Sequence, residues 1–369
     1  MSNKALYLAG GGARGAYQAG VLKAISAILA VKKIPFDIVS GVSIGSMNAA
    51  LLAESADDFP SSVKKLEELW QSIHCDNVFK SSNYALGKSV LRNLSNFVIK
   101  QQQSGFLLNT DPLRDYIEKN VDFKAIDNNI QLGHLKTLEL MCYSYEKQQT
   151  ISFYQHYKPD FEDWHYPRHS SQRTQFKIEH ILASGALPLF FPTVKIDGYH
   201  YGDGSMGLIS PLRGGIRFQV EKVMIIGTRH SCFDNQADAP DGAIGFAQTL
   251  GSMLNALFVD NLDRDIEMVN RMNEIAKMIA LWNKRRSPWR PIETLSLRPK
   301  IDLATVAQDQ YETMPGLLRM MLNVLGAKSH SGDLLSFLLF EKGFTRELIQ
   351  LGYEDTIKEE RSINRFFAS

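Results

Sequence analysis

ALYLAGGGARGAYQAG, residues 5–20, decides how the rest of the chain is read. Its first five residues are a short apolar run closed by a glycine cluster, the pattern of a buried strand. Beyond Ala16, apolar residues recur at Val21, Leu22, Ile25, Ile28 and Leu29, the three- and four-residue spacing of a helix. A strand, a glycine loop and a helix in direct succession put a row of backbone N–H groups at one sheet edge, ready for an anion. Two anions compete for it. Gly10, Gly11, Gly12, Ala13, Arg14 and Gly15 satisfy the G-x-G-x-x-G of a dinucleotide site, and they equally form a nest for the oxyanion of an acyl-transfer intermediate.

The next element separates the two. Pro35 marks a connection, FDIVSG (36–41) is a second buried strand, and a second helix begins past Ser43 with Ile44, Met47, Leu51 and Leu52 on one face. Gly41-Val42-Ser43-Ile44-Gly45 is a G-x-S-x-G held between that strand and that helix, the setting of a nucleophile elbow. A dinucleotide site needs an acidic residue after the second strand. Asp37 follows Gly15 by 22 residues but precedes the strand, so it belongs at the opposite sheet edge. No G-K-[ST] follows the glycines either. The loop is therefore expected to hold an acyl oxyanion on the Gly10 to Gly12 amides, beside the Ser43 hydroxyl. Arg14 keeps two readings: pairing with a carboxylate near the helix start, or drawing an anionic headgroup and positioning the loop.

The first fifty residues thus read β-α-β-α, and 369 residues suffice for one large α/β domain with a helical appendage. Forty-one Lys plus Arg against forty Asp plus Glu give no general reason to expect nucleic acid. Cys75, Cys142 and Cys232 lack metal or disulfide spacing and read as buried reduced thiols. No signal-peptide pattern opens the chain and no apolar run nears the ~18 residues of a membrane span, so the expected location is cytoplasmic. SSVKKLEELWQSI and NTDPLRDYIEKN predict helices, with Thr110 or Asp111 capping the second. The stretch 80–105 is patterned weakly and reads as a cap. TLELMCYSY, QTISFY and KVMIIG predict strands, FKIEHILASGAL a helix, and TVKID with YHYG a hairpin turning at Asp197-Gly198. From Asp241 on the pattern is mostly helical, interrupted by TLSLRPKID, a last strand.

A serine hydroxyl needs a proton acceptor. His230, just past KVMIIG, fits the chain order of a Ser-Asp-His arrangement, whereas His165, His169 and His200 read as surface or hydrogen-bonded loop residues. Asp203, directly after YHYG, is the other candidate.

Three segments together resemble the patatin-like phospholipase family: Gly10 to Gly15 match its GGGx[RK]G motif, Gly41 to Gly45 its elbow, and ASGALPLFFPTVKIDGYHYGDGS (183–205) its ASxALPxxFPPVxIDGxxYxDGG segment. The resemblance implies a three-layer α/β fold, a mainly parallel sheet between helices, with a catalytic domain over 5–215 and a mostly helical region over 216–369 packed against it. It implies a Ser-Asp dyad without histidine, Ser43 as nucleophile and Asp203 as base, an oxyanion hole on Gly10, Gly11, Gly12, Arg14 and Gly15, and an elbow framed by Gly41 and Gly45. It implies a phospholipid or lysophospholipid substrate, transient contact with a membrane surface, and no metal or cofactor. The chain departs from the family at Ser205, where Gly or Ala is usual, and at Thr193. Ser205 favours the alternative of a catalytically silent lipid-binding member; a dinucleotide-dependent oxidoreductase is the second alternative. Apolar stripes at Leu317, Leu318, Met321, Leu322 and Leu325 and at Leu334 to Phe340 are read as core before membrane contact.

Overall fold

Strand β1 (Lys4–Leu8) sends Leu6 and Leu8 to one side and Ala5 and Tyr7 to the other, and all four are buried. This double burial explains why the strand is apolar throughout instead of alternating. The structure is a computed structural model that describes residues 3–80, 106–230, 246–258, 260–283, 290–324 and 332–368. Parallel strands β2 (Ile38–Val42), β3 (Thr137–Ser144), β9 (Lys222–Ile226) and β10 (Glu293–Leu297) extend the same sheet in the order β10-β9-β1-β2-β3. Beyond β3 come β4 (Gln149–His156), β6 (His169–Arg173) and β5 (His165–Tyr166), with β3–β4 and β5–β6 antiparallel. The hairpin of β7 (Val194–Ile196) and β8 (Tyr199–Asp203) turns through Asp197 and Gly198, both at positive φ, as Asp-Gly predicts.

Helices cover both faces. One core gathers side chains of α1 (Ala16–Leu29), α2 (Ile44–Glu54), α3 (Phe59–Ser72) and the C-terminal helices. The other gathers Leu208, Leu212 and Phe218 with Leu262 and Val269 of helix Asp260–Asn283. The result is the expected three-layer α/β architecture with a mainly parallel sheet. The start of α3 follows from its sequence: the Asp58 carboxylate accepts the Ser61 N–H and Pro60 occupies the first turn. For the helix Asp111–Asn120 the side chain that bonds the first turn is Asn109, not Thr110 or Asp111. Cys75 and Cys142 are buried free thiols; Cys232 and the cap stretch from 81 to 105 lie outside the described residues.

One sequence expectation needs correction, and one is met. WHYPRHS is not a loop: His165 stands in β5 and His169 in β6, and His169 is buried, its Nε2 2.9 Å from Ser152 Oγ. Polar strands of this kind carry no hydrophobic periodicity because side-chain hydrogen bonds, not apolar packing, satisfy them. LLSFLLF is core, with Leu334, Leu335, Phe337, Leu338, Leu339 and Phe340 all buried; Leu322 is buried as well. The side chains of Leu317, Leu318, Met321 and Leu325 lie outside the described set. Among the described residues no helix is long and apolar enough to cross a membrane.

Candidate active site

Ser43 stands between the end of β2 and the start of α2, at φ 55° and ψ −130°. A non-glycine residue rarely adopts this conformation, and its persistence at this turn means the surroundings enforce it. The enforcement is visible. Gly45 lies so close to the end of β1 that a Cβ there would overlap the Leu8 carbonyl, which fixes the elbow against the glycine loop. The Ser43 N–H donates to Ser184 Oγ at 2.9 Å, and Ser184 Oγ–H donates to the Met141 carbonyl at 2.6 Å. Ser46 Oγ lies 2.6 Å from Ser184 Oγ and donates to the Gly41 carbonyl at 3.0 Å. Ser184 therefore ties the elbow to β3 and to the helix Ile178–Ser184. In the sequence Ser184 falls inside a motif, and nothing in its spacing marks this role.

Asp203 arrives from 160 positions later in the chain, and the sheet explains how. β2 pairs with β3 as far as Val42↔Met141. β4 occupies the other edge of β3 along its whole length, so β8, pairing Asp203↔Cys142, must continue the edge that β2 vacates. The last residue of β8 and the residue after β2 meet at that junction. Asp203 is fully buried, and burial raises its carboxyl from the ordinary Asp value to about 7; the Ser43 side chain, the Ser205 N–H and the Ser205 side chain each offset part of that rise by favouring the charged form. Oδ1 accepts the Ser205 N–H at 2.9 Å, whereas Oδ2 and the Ser205 Oγ, both buried, have no full hydrogen bond. Hydroxyl and carboxyl thus face one another across an open contact, as in many unliganded acid–base pairs.

The glycine loop forms the third side. Gly11 and Gly12 have φ of 151° and 57°, and a Cβ on Gly12 would overlap the Phe337 carbonyl. The Ala9 N–H and the Arg14 N–H are used within the fold, donating to the carbonyls of Ile226 and Gly11. Among the described residues no acceptor takes the amides of Gly10, Gly11 or Gly12. The loop is braced from behind: Thr228 Oγ1–H donates to the Gly10 carbonyl, Gln18 Nε2 to the Ala9 carbonyl at 2.8 Å, and Asn48 Nδ2 to Gln18 Oε1 at 2.8 Å and to the Gly15 carbonyl at 3.2 Å. Trp70 Nε1 in turn donates to Asn48 Oδ1 at 2.9 Å.

Of the two readings of Arg14, the structure shows the carboxylate pair. The guanidinium is buried, bonded to Ser336 Oγ at 2.8 Å, Asn255 Oδ1 at 3.2 Å and Asp333 Oδ1 at 3.1 Å, and stacked on Phe337 at 4.4 Å. Nε, Nη1 and Nη2 are each turned onto these partners, and the backbone N–H closes the loop on Gly11, so the side chain braces the fold instead of facing the glycine amides. Asp37 sits where the sequence put it, ahead of β2, accepting the Lys4 N–H at 2.9 Å and pairing with Lys136 at 2.8 Å. That end of the sheet is remote from the glycines, which removes the ribose contact a dinucleotide needs.

A cleft opens over Ser43 and Gly12. Its other walls are almost wholly apolar, including Met47, Ile117, Leu187, Phe191, Phe337 and Phe340. Asp203 does not line it, so the Ser43 hydroxyl stands between the cleft and the buried carboxyl. Among the described residues no histidine hydrogen-bonds Ser43: His200 pairs with Glu146 at 2.7 Å, and His230 Nδ1, buried, has no partner there.

The sequence profile of the patatin-like phospholipase family matches residues 6–213, more than half of the chain. A stretch of 55 residues is 51% identical to lysophospholipase nte1 of Aspergillus terreus, covering 15% of this chain and 3% of that protein. Fifty-three residues are 55% identical to a patatin-like phospholipase domain-containing protein of Caenorhabditis elegans, covering 14% and 4%. Ninety-five residues are 37% identical to lysophospholipase nte1 of Aspergillus oryzae, covering 24% and 6%. The chain thus spans only a few per cent of the length of the curated relatives it matches. Among solved structures, VipD from Legionella pneumophila aligns over 88% of this chain and 67% of its own at 12% identity and a TM-score of 0.32.

Proposed function

The chain belongs to the patatin-like phospholipase family, and we propose that it hydrolyses fatty-acyl esters of phospholipids or lysophospholipids through Ser43 and Asp203. The observation that carries this reading is the position of Ser43 between an apolar cleft and a buried carboxyl. The acyl chain lies in the cleft with its ester carbonyl at Ser43. Asp203 takes the hydroxyl proton as Ser43 Oγ attacks, and the negative oxygen is met by the uncommitted amides of Gly10, Gly11 and Gly12. Collapse of this intermediate returns the proton from Asp203 to the leaving alcohol. Water then attacks the acyl-enzyme, Asp203 again acting as base, and the fatty acid leaves.

A carboxylate near pKa 4 is a poor base for an alcohol. Here burial supplies basicity, and no charged neighbour is needed to do so. Arg14 contributes by holding the helix Gly332–Leu338 against the back of the glycine loop, not by touching substrate. The names of the fungal relatives, lysophospholipases, agree with a single-chain substrate.

The test is labelling by a fluorophosphonate probe, followed by assay on defined phospholipids and lysophospholipids. The native chain is expected to label at Ser43 and Ser43→Ala to lose both label and hydrolysis. A native chain that binds lipid yet neither labels nor hydrolyses would be a binding protein, and the proposal would be wrong.

A further inference from the structure

Beside the catalytic pair two buried polar atoms are left over: Asp203 Oδ2, an acceptor, and Ser205 Oγ, a donor. Buried polar groups are nearly always paired, so two complementary ones left open two residues apart call for an explanation. Ser205 is held in place by its own backbone, whose N–H donates to Asp203 Oδ1 at 2.9 Å at the start of the 3-10 turn Gly204–Gly207. Its hydroxyl is therefore anchored next to the carboxyl and free only to rotate. Nothing charged competes for it. The titratable groups that face Asp203 from neighbouring elements are Tyr7 on β1, Cys142 on β3 and Tyr145 just past β3, and burial raises all three, so each stays neutral at neutral pH.

We propose that Ser205 is a positioning residue for the reaction: its Oγ–H turns onto Asp203 Oδ2 and holds the carboxylate charged and aimed at Ser43 before attack. The inference rests on the reading of Asp203 as the base. A hydroxyl both donates and accepts, so the same atom can take the proton-bearing oxygen once Asp203 has been protonated by Ser43. Among the described residues Ser43 and Ser205 are the side chains whose polar groups favour the charged form of this carboxyl. Ser205 would then act on the charge of the base without meeting the substrate, since it does not line the cleft.

The test is the rate of fluorophosphonate labelling of Ser43 against pH, measured on the full chain as wild type, Ser205→Ala, Ser205→Thr and Asp203→Asn. This readout follows the serine's activation and needs no knowledge of the lipid. Losing a hydrogen bond to the charged form should move the acidic limb of the Ser205→Ala profile up by about one pH unit, while Ser205→Thr, which keeps the hydroxyl, stays near wild type. Ser205→Gly removes the same hydroxyl should the alanine chain fail to fold. A purely packing role would lower the rate at every pH and leave the limb in place, and that result overturns the inference. Undiminished labelling of Asp203→Asn would instead remove the dyad itself, and this inference with it.

Discussion

Replacing Asp203 by Asn should abolish labelling and hydrolysis and at the same time stabilise the fold in a pH-dependent way. The folded carboxyl titrates at about 7 because it is buried, against about 3.9 in an unfolded chain. The folded state therefore holds the proton more tightly than the unfolded state. The resulting stability is fully present below about pH 4 and is lost as pH rises through the folded pKa. The loss accumulates at about 1.4 kcal/mol per pH unit and levels off at roughly 4 kcal/mol above pH 7. Asn does not titrate, so the difference between the two proteins should follow that curve. Urea unfolding at pH 5 and pH 8 reads it directly: Asp203→Asn should gain roughly 2 to 3 kcal/mol on the wild type between the two pH values. The wild-type rate should fall in the opposite sense, tenfold per unit below about pH 7, as the base takes up its proton. A stability difference that is the same at both pH values would mean that Asp203 is not a buried carboxylate of raised pKa, and the argument for its basicity would collapse.

Ser184→Ala should cost about 1 to 3 kcal/mol, because the Ser43 N–H and the Met141 carbonyl lose their shared partner; labelling of Ser43 should slow far more than thermal unfolding alone accounts for, which parallel measurements at a temperature where both proteins are folded will check. Gly12→Ala meets both a positive φ and the Phe337 carbonyl, so it should destabilise by about 3 kcal/mol or more, and any folded fraction isolated at low temperature should turn over ester poorly while still binding a fatty-acid probe in the cleft.

How much of this was open to reading from the sequence depended on how local the cause was. β1, β2 and their helices are set by apolar runs and a 3.6-residue period, and both survive in the structure within a residue or two. The elbow was readable because G-x-S-x-G means something only between a strand and a helix, and both neighbours could be seen. β5 and β6 were invisible, since His169, Ser170 and Ser171 are buried yet polar and no periodicity marks them. Ser184, Asn48 and Gln18 were equally hidden. Each acts by hydrogen-bonding a backbone group brought near by the sheet or by a helix crossing, and no spacing in the chain records that. Arg14 had two readings because its partners, Ser336 and Asp333, lie more than 300 positions away.

Asp203 belongs to an intermediate class, and it shows what a sheet can do that a motif cannot. A loop residue placed near Ser43 by a flexible connection would lose aim with each fluctuation, and catalysis is sensitive to displacements of an ångström. Here the aim is set by register. β2 leaves the edge of β3 at Met141 and β8 enters it at Cys142, so the distance between Ser43 and Asp203 is fixed by adjacent residues of one central strand. The same strand end supplies the Met141 carbonyl that orients Ser184, which in turn receives the Ser43 N–H. The Ser43 hydroxyl, the Asp203 carboxyl and the Ser184 brace are thus referred to two consecutive residues of β3. A histidine would need its own third support to be oriented; a carboxylate at the end of a paired strand is oriented by the ladder itself, and in the proposed mechanism its burial there supplies the basicity a histidine would otherwise bring.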